Sequence, residues 1–340
     1  MKLPMGSPAA GNFFSTLTYL IALVLLPVLM PSLPLATEIV IMTIAALSCY
    51  LVLAYGPLLS FGQGAFFGIG AYAGAWYAIR TAGTPMGDAV PAIVLCAAVT
   101  SAIALVVGAV TLKRVVTAGG QGTGSIAFLM LTFAIAQVAF FAAYSLPQIT
   151  GGENGLLDVP RLPLAGGQWF KTPYGFYILC AALLAVLVVF IDLVKSSVVG
   201  TAYRAISENE HRAAAVGYNI YRLRLALFTF SGGMAGIAGC LYGFFLGLVP
   251  LSTIDITQSE RIVIATVLGG TGGSPAALVG TIFLILAEDL LSRIWPHWQF
   301  ALGAIIVLTV FFFRQGFWGV IEKAVVRLGS IRSRKRASTP

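Results

Sequence analysis

Residues 174–193 read YGFYILCAALLAVLVVFIDL, a run of 20 residues with a single charged side chain, Asp192. An α-helix needs about 20 apolar residues to cross the ~30 Å hydrocarbon layer of a membrane. A strand of an outer-membrane barrel instead alternates polar and apolar residues over about ten positions. Because this run is apolar on every face, it predicts a transmembrane helix.

The whole chain shares this character. Of its 340 residues, 59% are hydrophobic and 9% are charged, and the mean hydropathy is +0.94. A soluble domain has about 25% charged and 45–50% apolar residues. The composition therefore excludes a soluble enzyme or a nucleic-acid-binding protein as the first interpretation. The net charge of +8 favours basic cytoplasmic loops and contact with anionic lipid.

Similar apolar runs recur along the chain and predict an all-α, polytopic transmembrane bundle of about 8–10 spans. A broken or re-entrant segment is expected near residues 260–291, as a re-entrant hairpin or as two short helices around Gly269–Ser274. The apolar run Leu17–Met30 is interpreted as a retained first span and not as a signal peptide. The other candidate spans are 37–55, 62–79, 91–112, 125–146, 225–249 and 298–313.

The basic residues predict the orientation. Threading the spans with loop 194–224 in the cytoplasm places 15 of the 20 Lys and Arg on that side, which follows the positive-inside bias. The predicted organisation is a cytoplasmic N-terminus (1–13), a transmembrane domain (14–318) that contains loop 194–224, and a basic cytoplasmic tail (319–340).

The sequence offers no catalytic residue, metal site or cofactor site. Four scattered cysteines and two histidines form no ligand pattern. The glycine-rich stretches 118–125 and 269–274 lack the Gly-Lys-Ser/Thr end of a phosphate-binding loop, so they predict turns. Four acids lie near span ends, where solvation by headgroups and water is expected, and any uphill transport would need an outside energy source. These acids are Glu38, Asp192, Glu288 and Asp289.

Glycines recur at a spacing of four residues in two regions. Such stripes let helix backbones approach closely in lipid, so helix packing is favoured over direct contact with a substrate. Their corresponding positions in the two halves suggest an internal repeat. The stripes contain Gly64, Gly68, Gly70 and Gly74 in the first half, and Gly232, Gly236, Gly239, Gly243 and Gly247 in the second.

A polar stretch in loop 194–224 predicts a short helix. Ser207 and Glu210 have the spacing of a capping box, so the helix is expected to begin at Glu208. Gly217 is expected to end it in the left-handed conformation, and Glu208 and Arg212 would pair at i,i+4. A helix this short is marginal alone, which leaves two alternatives: docking into another protein or a plain surface loop.

This stretch also carries a family resemblance. It resembles the R-A-I-x-E-N-E-x-R-A-x-x-x-G-x-N pattern of the permease subunits of branched-chain amino acid ABC importers, of the LivM type. Further matches are SFGQGAFFGIGAY (60–72), TGGENGL (150–156), the glycine-rich span 231–242 and VLGG (267–270), in order over residues 40–318. Two departures are Gln63, where the family commonly has His, and a longer turn at Gly119–Gly124.

The resemblance implies a multi-pass subunit of the bacterial inner membrane, without enzymatic activity or cofactor of its own. Its implied partners are ABC ATPase subunits, a second permease subunit of the LivH type, a periplasmic substrate-binding protein and membrane lipid, but no nucleic acid. The candidate residues for coupling to the ATPase are Arg204, Glu208, Asn209, Glu210, Arg212, Ala213 and Gly217, and those for helix packing or the pore are Gln63, Gly64, Gly68, Gly236, Gly239, Gly243, Gly269 and Gly270. Loop 147–173, which the basic residues place outside, is proposed as part of a binding-protein platform with Gly151, Gly152, Glu153 and Asn154.

Other functions remain open on the sequence. Permeases for urea and short amides share the same motifs. A passive channel for small neutral solutes would also tolerate an interior with few charges. An integral-membrane enzyme is disfavoured because no catalytic constellation is present.

Overall fold

A computed structural model describes residues 8–56, 58–82, 84, 87–117, 123–163, 167–312 and 316–319. Within these ranges the backbone is predominantly α-helical, with one isolated antiparallel bridge between Leu156 and Val249. The prediction of an all-α fold is confirmed. The α-helices are α1 (Pro8–Leu29), α2 (Leu33–Tyr55), α3 (Gln63–Thr81), α4 (Ala89–Thr117), α5 (Thr123–Ser145), α6 (Pro147–Thr150), α7 (Pro173–Ser196), α8 (Val198–Glu208), α9 (Glu210–Ala215), α10 (Ile220–Leu246), α11 (Ile256–Gly269), α12 (Pro275–Ile294) and α13 (Trp298–Phe312).

Six helices in the described ranges are long and apolar enough to cross a membrane: α2, α4, α5, α7, α10 and α12. The apolar parts of α1 and α13, Thr16–Leu29 and Trp298–Thr309, are shorter. Helices suit this environment because lipid offers no hydrogen bonds, so each backbone N–H and C=O must be satisfied within the segment. The protein is a multi-pass membrane bundle, as predicted.

α2 is the central helix of the bundle. Of the 18 consecutive, mostly apolar residues that represent its membrane span, 89% are buried inside the protein. The corresponding share is 28% in α4 and 22% in α5. A helix that is apolar on all sides is buried in a core or exposed to lipid. α2 therefore fills the core, while α4 and α5 leave most of their surface for lipid or for another subunit.

The two glycine stripes meet, because α3 packs directly against α10. A Cβ atom at Gly239 would overlap the carbonyl oxygen of Phe67, and one at Gly70 would overlap the carbonyl of Gly236. Only a residue without a side chain permits this close backbone approach, which is the usual role of small residues between helices in lipid.

The interrupted segment near 260–291 is a pair of packed helices, α11 and α12. α11 has 14 residues, or about 21 Å at 1.5 Å per residue, which is shorter than the hydrocarbon layer. α12 has 20 residues and begins with Pro275 in its first turn. The turn predicted at 269–274 lies between them, and Gly270 adopts a φ of 92° there.

The bundle has two ends, and we call the end that carries loop 194–224 the basic side and the other the opposite side. α2 ends on the basic side, where Tyr55 contacts Tyr203 of α8. The loop that leads into α11 lies on the opposite side, where Val249 pairs with Leu156.

Part of the sequence-based interpretation lies beyond the described residues, namely residues 1–7, Gly119–Gly122 and the tail after residue 319. One part of the predicted turn at Gly119–Gly124 is wrong. α5 begins at Thr123, so Gly124 lies in its first helical turn.

Candidate functional site

Loop 194–224 contains two short helices, α8 and α9. The predicted single helix starting at Glu208 is wrong, because Glu208 is the last residue of α8. The helix break has a local cause: the Asn209 side chain caps α9 by accepting a hydrogen bond from the backbone N–H of Arg212 (3.0 Å). Ser207 does not cap a helix; its hydroxyl donates back to the carbonyl of Arg204 within α8.

The predicted end of this region is confirmed at Gly217, which has a φ of 100°. The N–H of Gly217 bonds the carbonyl of Ala214, and the N–H of Tyr218 bonds the carbonyl of Ala213. This pair of bonds is a Schellman motif, which satisfies the last carbonyls of a helix and favours glycine at the left-handed position.

α9 is fixed to the bundle by a buried ion pair. Two nitrogens of the Arg224 guanidinium donate to the two carboxylate oxygens of Glu210, each at 2.9 Å. The side chains are 3% and 8% exposed. Glu210 therefore faces α10 rather than the aqueous surface. Sequence reasoning missed Arg224, although the reversal of the chain at Gly217 was a signal that α9 would fold back onto α10.

A groove of about 580 Å³ lies along α8 and α9. Glu208 and Arg212 line it with charges of opposite sign, and Val216 at its edge is 78% exposed. Among the residues predicted to couple to an ATPase, the structure brings Glu208, Asn209, Arg212 and Ala213 to this groove. The groove therefore presents charged and apolar side chains together at the aqueous surface of the basic side.

The remaining predicted coupling residues lie beside the groove. Arg204 donates a hydrogen bond to the carbonyl of Lys195 at the end of α7 (2.9 Å), Glu210 is in the buried ion pair, and Gly217 forms the turn. The Tyr203 hydroxyl of α8 donates to the carbonyl of Leu223 in α10 (3.0 Å). Burial raises the pKa of this phenol and keeps it a hydrogen-bond donor. Both spans that flank the loop are thus bonded to α8.

Gln63 sits at the junction of three helices. Its side-chain amide donates to the hydroxyl of Ser231 on α10 (2.8 Å) and accepts from that of Ser48 on α2 (3.2 Å). Gln63 is 0% exposed. The residue that departs from the family pattern therefore joins α2, α3 and α10 in a satisfied buried network.

The platform residues on the opposite side form a compact turn. Gly151 and Gly152 have positive φ angles, while Glu153 and Asn154 are exposed. In the same loop, Arg161 donates to the carbonyls of Phe244 and Phe245 at 3.1 and 3.0 Å. It satisfies the last turn of α10, a favourable position for a cation.

The expectation that the span-end acids are simply solvated is wrong for Asp192, which is 5% exposed. Its carboxylate accepts hydrogen bonds from Thr16 (3.0 Å) and Lys195 (3.1 Å). Lys195 also donates to the hydroxyl of Ser274 (2.9 Å). This cluster ties α1 and α7 to the start of α12 on the basic side.

The expectation that acids near span ends are simply solvated is also wrong for Glu38 and Glu288, whose carboxylates pair with Arg261. Arg261 of α11 forms two hydrogen bonds with the carboxylate of Glu288 and lies 3.6 Å from that of Glu38. Sequence reasoning used Arg261 only to predict orientation. Glu38, Arg261 and Glu288 are each five or six residues from the helix end on the opposite side, and this equal depth was the signal that could have linked them.

The amino-acid sequence was compared with known protein families. The family model for the permease component of branched-chain amino acid transport systems matches residues 33–312. The chain belongs to this permease family. The resemblance inferred from the motifs is confirmed.

Individual relatives agree with the family. The permease is 26% identical over 334 residues to the high-affinity branched-chain amino acid transport system permease protein LivM of Escherichia coli K12, an alignment that covers 90% of this chain and 76% of that protein. It is 32% identical over 149 residues to LivH of Salmonella typhimurium, covering 41% of the chain and 48% of LivH. No solved structure gives a significant match.

Proposed function

We propose that this permease is the LivM-type subunit of an ATP-driven importer that carries branched-chain or related small amino acids across the bacterial inner membrane. The observation that carries the proposal is the family match over residues 33–312. The extended similarity to LivM, compared with the partial similarity to LivH, supports the assignment to the LivM type.

We assign the two soluble partners to opposite ends of the bundle. ATPase subunits would bind the groove along α8 and α9, and a periplasmic binding protein would meet the turn at Gly151–Asn154. A second, LivH-type permease subunit and lipid would cover exposed helices such as α5. ATP is proposed to bind the separate subunits, with no cofactor on this chain.

The contacts of the groove support a coupling mechanism. The Glu210–Arg224 ion pair joins α9 to α10, and the bond from Arg204 to Lys195 joins α8 to α7. Lys195 also reaches Ser274 before α12. A movement of the docked ATPase would therefore be transmitted to three spans. Docking can shift the bundle between two openings only by the difference in its affinity for them.

The coupling proposal is tested by Glu208→Ala combined with Arg212→Ala. We expect weaker co-purification of the ATPase and lower uptake, with unchanged amounts of permease in the membrane. Lys171→Ala removes an exposed charge on the opposite side, outside the turn at Gly151–Asn154, and serves as the control. Normal ATPase binding and uptake in the Glu208 and Arg212 double variant would refute the docking role.

The transport proposal is tested by deleting the gene and measuring uptake of labelled L-leucine. We expect uptake to be lost and to return with the wild-type gene. Uptake of urea instead would assign the permease to the short-amide carriers. Conductance by the purified chain in vesicles without ATP would support a passive channel and overturn the proposal.

A further inference from the structure

A cavity of about 640 Å³ lies between α2, α11, α12 and α13 on the opposite side of the bundle. This volume is within the range of small-molecule sites, about 300–1,000 Å³. The ion-paired cluster of Glu38, Arg261 and Glu288 forms part of its wall, together with Glu260 and Asp289. The cavity therefore combines the size of a ligand site with charges of both signs.

The lining is arranged in two layers. α11 runs inward from the opposite side, so Ile264 lies one turn deeper than Arg261. α12 runs outward, so Leu284 and Ile285 lie one turn deeper than Glu288. All of these residues line the cavity. Because residues three or four apart lie on the same helix face, the charged groups surround the mouth, and Ile264, Leu284 and Ile285 form the floor.

The depth of the charges needs an explanation other than stability. Glu38, Arg261 and Glu288 lie about 7.5–9 Å from their helix ends, from a rise of 1.5 Å per residue. Charges within membrane spans are costly and mark substrate or ion pathways. The Arg261–Glu38 pair is also weak evidence of stabilisation, since its side chains are 28% and 24% exposed and ion pairs in contact with solvent typically contribute about 0–1 kcal/mol.

The geometry around Arg261 can accept a ligand that carries both charges. Glu288 is bound by two hydrogen bonds, whereas Glu38 is 3.6 Å from the guanidinium, beyond hydrogen-bond length. A ligand carboxylate can replace Glu38 at this looser contact. Glu38 then faces the ammonium group of the same ligand, so one ion pair is exchanged for two.

We propose that this cavity binds a zwitterionic, aliphatic α-amino acid on its way through the permease. Arg261 holds the α-carboxylate, Glu38 faces the α-ammonium group, and Ile264 with Leu284 and Ile285 contacts the aliphatic side chain. The proposal rests on the proposed function and adds to it a substrate site within this chain.

The test uses the permease purified with its co-purifying subunits in native-lipid nanodiscs. The probe is photo-leucine, a diazirine analogue of leucine, and the labelled peptides are mapped by mass spectrometry. We expect labelling on α11, α12 or α13 that L-leucine competes away. 3-Methylbutylamine and 4-methylpentanoate, which each lack one of the two charges, should compete at least about tenfold less well, since each loses a charge-assisted contact.

Two variants alter the cavity in different ways. Arg261→Gln removes the guanidinium that would bind the ligand carboxylate. Ile264→Trp fills the floor of the cavity and keeps all of its charges, so it tests the site even if Arg261→Gln fails to fold. Both should reduce labelling about tenfold or more. Arg80→Gln is the matched control, because Arg80 lies on the same side, against Trp76 and outside the cavity.

Several outcomes would overturn the proposal: labelling outside the cavity, equal competition by the singly charged analogues, or labelling that is unchanged in both cavity variants. The site and the proposed function can fail separately. If wild-type cells import leucine and both cavity variants import it at the normal rate, the site is refuted and the function stands. If wild-type cells import no branched-chain amino acid, the function itself is refuted.

Discussion

The buried ion pair between Glu210 and Arg224 makes the most specific prediction about the docking loop. Glu210→Gln keeps the size of the side chain but removes its charge, which leaves the Arg224 guanidinium buried without a counter-charge. Breaking a buried pair in this way costs about 3–5 kcal/mol. The low exposure of both side chains, 3% and 8%, and the two bonds at 2.9 Å place this pair in the buried class.

The cost should appear as local opening of α9, since the pair is its main attachment to α10. A free energy of 1.4 kcal/mol corresponds to tenfold in an equilibrium constant, so amide hydrogen exchange in residues 210–218 should accelerate by about 100-fold or more, up to the rate of an unprotected chain. These amides lie outside the membrane spans and can be followed by mass spectrometry of the purified permease.

Two further variants complete the test. Arg212→Gln removes a charge from the exposed face of the same helix and should leave exchange within about twofold. Arg224→Gln added to Glu210→Gln should recover part of the protection, because the remaining buried side chains are both neutral. Unchanged exchange in Glu210→Gln, or fully additive losses in the double variant, would refute the reasoning.

Three other predictions concern packing and capping. Gly239→Ala should destabilise the detergent-solubilised permease by about 1–3 kcal/mol through overpacking. Gly303→Ala, where nothing lies within 4 Å of the added Cβ, should not lower the melting temperature, because alanine favours a helix over glycine. Gln63→Leu should lower thermal stability, because the two buried hydrogen bonds that join α3 to α2 and α10 are lost, each worth about 0.5–1.5 kcal/mol; an unchanged melting temperature would contradict this network. Asn209→Ala should accelerate amide hydrogen exchange in α9, because about 1 kcal/mol of helix capping is lost, and Ser207→Ala should leave it unchanged. A capping box at Ser207 requires the opposite result for the two variants.

The sequence determined the class of fold because solubility in lipid is a local property. A run such as 174–193 has to be a helix whatever surrounds it, since lipid cannot satisfy an open backbone. The turn at Gly217 was likewise predictable, because a left-handed position depends on glycine itself. Family motifs in order along the chain supplied the permease assignment.

The helix break at Asn209 was not predictable from the local sequence, because two residues that can cap a helix lie only two positions apart. Ser207 and Asn209 both have the chemistry of an N-cap, and the buried anchor of Glu210 on Arg224 favours the register in which α9 begins at Glu210. Packing against α10, rather than local preference, decides between the two.

The pairing of charged residues within the polar sites was decided by the tertiary structure. Glu38, Arg261 and Glu288 are distant in sequence, and each by itself has the pattern of a solvated residue near a span end. Their pairing exists only because α2, α11 and α12 pack at one depth, where a charge without a partner would be costly. Electrostatic partners act through space, so the chain specifies which residues can be charged, and the packing of the helices specifies which charges meet.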